Sequence, residues 1–186
     1  MTWVRPANSE ALSVAISILL SSRGGSQITR AKAEAWASEA LAAGHSLGQE
    51  VKACYPGLGP VEVAHQVGVG IKFARDNRWL RAIYTPEPPT VTIYPESLEP
   101  LQDRLHHLRL PQGFSLLDLA IAHELFHHFE HVRGSISKRY YVNVFKLGRF
   151  SLKTSLPALS EIAAHAFTKE LLGLDFYPYQ LDDFVE

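Results

Sequence analysis

The segment LAIAHELFHHFEH, residues 119–131, packs four histidines and two glutamates into thirteen positions. Within it His123, Glu124 and His127 spell H-E-x-x-H. On a helix each residue advances about 100°, so His123 and His127 share one face, a turn apart. Two imidazoles so placed can converge on one zinc ion at about 2.0–2.1 Å per bond. Glu124 falls at the edge of that face. There it can touch a water on the ion without completing the ligand set, the position of a general base. The competing account is a polar, solvated helix face in a histidine-rich chain.

Zinc at a catalytic centre takes three protein ligands and keeps a fourth position open. The third ligand is to be sought in LPALSEIAAHAFTKELLG, residues 156–173. Glu161 and His165 are four apart and share one helical face, so spacing alone leaves both open. His128 and His131 suit a solvated face, or donors behind the ligands, better than ligation. Glu130 falls on the His127 side, where it can orient that ring or serve structure only. His106 and His107 read as surface residues of the preceding helix.

Two helices must hold these groups. FSLLD places Ser115 as an N-cap with Asp118 three residues on, a capping box, and Phe114 and Leu119 can close a hydrophobic staple over it. Leu116, Leu119 and Ala120 continue the histidine face as an apolar stripe, so that face points inward, where imidazoles need partners. The second helix shows periodic Leu, Ile, Ala and Phe, with Gly173 as its stop.

Upstream, ALSVAISILL reads as an amphipathic helix and SSRGGSQ as a break. TRAKAEAWASEALAAG reads as an alanine-rich helix stopped by Gly44, and VEVAHQVGV as a short helix over about 61–67. IKFAR, WLRAIYT and TVTIYP are rich in β-branched and aromatic residues and separated by DN and PEPP turns, which predicts three strands. ESLEPLQDRLHHL returns to helix. The expected fold is α+β, with helices packed on one face of a small, mostly antiparallel three-stranded sheet and H-E-x-x-H on a central helix. One domain is expected over residues 1–186, mostly helical to 58, with the sheet and the metal-site helices from 59 on.

At 186 residues, 46% of them apolar and 20% charged, the chain suits one core rather than two. A net charge of -1 gives no bulk electrostatic case for direct binding of nucleic acid or of an anionic membrane. The single cysteine, Cys54, cannot form an intrachain disulfide, which fits a reducing compartment. ALSVAISILL has the length of a secretory core. Yet only Arg5 precedes it as a positive charge, Glu10 adjoins it, and it is too short to cross a bilayer. A cytoplasmic location is expected.

AIAHELFHHFEH followed by SEIAAHAFTKELL resembles the ImmA/IrrE family of bacterial zinc metallopeptidases. That family's second motif is matched by Glu161, Ala164, Phe167, Leu171 and Leu172. The likeness continues more weakly through VEVAHQVGVGIKF and TVTIYP and covers roughly residues 30 to 173. The resemblance implies a Zn²⁺ cofactor held by His123, His127 and Glu161. It also implies a protein substrate, a transcriptional repressor of helix-turn-helix type cut at a limited site. His165 stands where the family usually has Asn or Asp, and Thr168 replaces a usual alanine.

The chemistry expected is amide hydrolysis with Glu124 as general base, and Tyr140, Tyr141 and His165 are candidates for stabilising the oxyanion. Between His131 and Ser160 there is no acidic residue, whereas Arg133, Lys138, Arg139, Lys146, Arg149 and Lys153 are basic. RYYVNVF in that insert suits a strand that could pair with an extended substrate, or a loop whose charge balances acids elsewhere. Two rival classes are a metal-dependent regulatory protein that binds a repressor without cutting it, and a structural zinc or metal-free domain. Closed structural sites usually recruit cysteine, which weighs against the second.

Overall fold

The computed structural model describes residues 9–75, 80–105, 110–147 and 150–181. His106, His107 and Arg149 lie outside them. In chain order come α1 (Ser9–Ser21), α2 (Arg30–Cys54), α3 (Pro60–Gln66), β1 (Gly70–Phe73), β2 (Ala82–Pro86), β3 (Pro89–Ile93) and α4 (Glu99–Leu105). After these come α5 (Leu116–Arg133), β4 (Tyr141–Leu147), β5 (Phe150–Ser155) and α6 (Pro157–Leu172). The class is α+β, with H-E-x-x-H on α5.

Gly44 does not end a helix. α2 runs 25 residues, and its buried positions Ala33, Ala37, Ala40, Leu41, Gly44, Gly48 and Val51 form one face. That face lies against α6. A Cβ built on Gly44 would collide with the carbonyl oxygen of Ala163 and sit 2.8 Å from the Ala166 Cβ. One on Gly48 would sit 2.7 Å from the Glu170 Cβ. The glycines are there so that two backbones can approach, a tertiary reason invisible to a local stop rule.

The sheet has three strands in the order β1-β3-β2 and is mixed rather than mostly antiparallel. β2 and β3 form the expected hairpin, while β1 pairs parallel to β3. The hairpin docks by its second strand, so β2 becomes an edge. Val91 and Ile93 are fully buried, and Tyr84 and Ala82 stand opposite them on the same face of the sheet. β4 and β5 make a separate two-stranded hairpin. The first of these strands matches RYYVNVF; the second was not foreseen.

α5 starts as its sequence dictates. The Ser115 hydroxyl accepts from the Asp118 amide at 3.0 Å and donates to the Asp118 carboxylate at 2.8 Å. The return arm thus runs between the two side chains. Ser115→Ala removes the cap and is expected to cost about 1 kcal/mol, read as a lower urea midpoint at unchanged slope. α5 and α6 meet through Phe167, whose ring centroid lies 5.9 Å from that of Phe126 and 6.0 Å from that of Phe129. Thr168 is fully buried, and its hydroxyl donates to the Ala164 carbonyl at 2.8 Å, so a hydroxyl in the core is satisfied. α6 stops at Gly173, whose φ of 66° is left-handed. Among the described residues, no helix is long and apolar enough to cross a membrane.

Candidate metal centre

α5 and α6 bring three of the expected groups to one point. Ligand atoms of His123, His127 and Glu161 all lie within 4.8 Å of one another. The His123 Nε2 is 3.2 Å from Glu161 Oε2, and the His127 Nε2 is 3.6 Å from Glu161 Oε1. Donors on a tetrahedron with bonds of 2.0–2.1 Å stand about 3.3 Å apart, so the two histidine–glutamate distances are near the edge lengths an ion would set. Two imidazoles and a carboxylate form a donor set of the kind that catalytic zinc accepts.

The electrostatics agree with that. Burial works to raise the Glu161 carboxyl. The hydrogen bond to His123 and the positive potential of His123 and His127 outweigh it and hold the group at about 2. Glu161 is therefore a carboxylate at any ordinary pH. At His127 burial works to lower the pKa, but Glu130, Glu161 and Glu124 together raise it.

His165 stays out of the converging trio. It sits one turn beyond Glu161, with its ring centroid 5.0 Å from that of His123 and 5.8 Å from that of Tyr179. Burial lowers it to about 3, with help from the His123 charge, so it is a neutral ring packed behind a ligand. Glu161, not His165, is the third residue whose ligand atom converges with those of the two α5 imidazoles.

Glu124 is buried, and its Oε2 accepts the Tyr84 amide of β2 at 2.8 Å. It is not in the ligand trio but lines the same cavity of about 540 Å³ as His123, His127, Glu161 and His165. His128 is not on a solvated face. It is buried, and its Nδ1 lies 3.0 Å from the Tyr84 hydroxyl. Burial and the nearby His131 both lower its pKa. Tyr84 thus fastens β2 to α5 twice, beside the candidate base. Sequence reasoning missed Tyr84, because its role depends on the pairing register of β2. Arg81, which also lines the cavity, was missed for the same reason.

The two tyrosines lie elsewhere. The Tyr140 hydroxyl bonds Glu39 on α2 and its ring packs on Trp36, while Tyr141 is half exposed; neither lines the cavity. Of the basic insert, Arg133 forms a two-pronged pair with Glu50, at 2.8 Å on each side. The far wall of the cavity comes from the segment after α6. There Pro178 lines the space, Tyr179 touches His165, and Tyr177 stacks on Tyr179 with its hydroxyl 2.7 Å from the His45 Nε2.

Comparison of the chain with family models, with curated proteins and with solved structures returned no match. The convergence of His123, His127 and Glu161 therefore stands on geometry alone.

Proposed function

We propose that this chain is a zinc-dependent endopeptidase that cuts a specific protein partner, with Glu124 as general base. The observation that carries the reading is the trio His123, His127 and Glu161 converging in a cavity beside a carboxylate that is not one of them. Bound there, zinc supplies Lewis acidity towards water and a substrate carbonyl. Glu124 holds the proton taken from water and returns it to the leaving amine. Its bond to the Tyr84 amide fixes where that carboxylate sits.

An extended peptide is the substrate shape that suits the cleft. The Tyr94 amide donates to the Arg81 carbonyl, so Arg81 and Tyr94 form a hydrogen-bonded pair. Alternation then turns the peptide groups of Ala82 and Tyr84 away from β3, towards the cavity they line. A strand added there would meet the Ala82 amide and the carbonyls of Ala82 and Tyr84, since Glu124 takes the Tyr84 amide, with its scissile bond near Glu124. A helix-turn-helix transcriptional repressor as partner follows from the motif resemblance, and a cytoplasmic setting from the weak signal-peptide character of ALSVAISILL and the single cysteine.

The decisive experiment is metal stoichiometry paired with cleavage. The purified chain is expected to hold one zinc per molecule and to cut members of a peptide library, read as new termini by mass spectrometry. Chelation should stop the cleavage. Glu161→Ala and His127→Ala should each release the metal. A parent chain without stoichiometric zinc, unchanged by His127→Ala, would sink the reading.

A further inference from the structure

Glu130 lies one turn beyond His127 on α5, with its side chain only 11% exposed. Its two oxygens do different things. Oε1 accepts from the Ser135 hydroxyl at 2.9 Å, the Ile136 amide at 2.8 Å and the Ser160 hydroxyl at 2.6 Å. Oε2 faces the His127 Nδ1 at 3.7 Å. One carboxylate therefore gathers the loop leaving α5, the first turns of α6 and a ligand ring. Ser160 immediately precedes Glu161, so the clamp on Ser160 also fixes where the third ligand enters the site.

We infer that Glu130 is a positioning residue of the metal centre. It holds His127 with Nδ1 turned to the carboxylate and Nε2 turned to the ion, while registering α6 so that Glu161 meets both imidazoles. A neutral imidazole carries its proton on one nitrogen only. A carboxylate beside Nδ1 draws the proton there and leaves the Nε2 lone pair for a cation.

This inference rests on the metal reading, yet one of its tests needs no metal. Glu130→Gln keeps the volume and keeps an oxygen for Ser135, Ile136 and Ser160. Towards His127 it presents an amide donor, which favours the opposite tautomer. In the metal-free protein, at a pH where the ring is neutral, nitrogen NMR is expected to show the His127 proton moving from Nδ1 to Nε2. In the zinc titration, affinity is expected to fall about 10- to 100-fold while the metal-free melting temperature stays near that of the parent. Glu130→Ala, which also loses the clamp, should lower both.

An unchanged tautomer, or parental zinc affinity in Glu130→Gln, overturns the assignment and leaves Glu130 a structural clamp. A parent chain that binds no zinc removes the metal reading instead, and the tautomer measurement then decides whether Glu130 positions the ring.

Discussion

Glu124→Gln is expected to leave the chain folded and fully loaded with metal while peptide cleavage falls by about 10²–10⁴-fold. The substitution is close to isosteric, and the glutamine oxygen can still accept the Tyr84 amide that Glu124 holds at 2.8 Å. Glu124 is outside the ligand trio, so the ion has no reason to leave. What disappears is the capacity to take a proton. The loss should fall on kcat more than on KM, since the group moves protons in the reacting step and does not hold the bound peptide. Turnover and metal content measured on one preparation check it. If processing of the partner survives, hydrolysis by this site is wrong. If the parent binds its partner but never cuts it, the chain is a metal-dependent regulator.

Gly44→Ala is expected to destabilise the fold although it adds a single methyl. In an isolated helix the change would help by about 1 kcal/mol. Here the new carbon meets the Ala163 carbonyl and lies 2.8 Å from the Ala166 Cβ. A backbone cannot swing aside as a long side chain can, so α2 and α6 must separate. Overpacking of this kind costs about 1–3 kcal/mol and occasionally more, which outweighs the propensity gain. Because Ala163 stands two residues after Glu161, the strain reaches the candidate metal group. A lower urea midpoint and weaker zinc binding should appear together. A Gly44→Ala protein more stable than the parent would refute the close-approach argument.

These two residues also show what a sequence can and cannot disclose. Glu124 was readable because helical spacing and the Ser115 cap are local, and local rules place it beside His123 and His127 without knowledge of the rest. Gly44 was misread because one glycine can mark a helix end or a backbone crossing, and only the partner helix tells which. Glu161 and His165 were indistinguishable for a related reason. Four residues apart they share a face, and what separates them is how α6 slides along α5, fixed in part by Ser160 on Glu130. The three strands of the sheet were visible one by one, but the parallel pairing of β1 with β3 joins segments that are not neighbours in the chain. Tyr140 looked available to the site because nothing local announces its bond to Glu39.

The exposed margin of β2 carries a further consequence. A bare strand margin invites copies of the same protein to stitch together into aggregates. β2 is only five residues long, and its outward positions are Ala82, Tyr84 and Pro86. Proline has no amide hydrogen to offer, and the Tyr84 amide is already capped by Glu124. On this margin a neighbouring copy is thus left one outward amide, at Ala82, because the Glu124 carboxylate occupies the other.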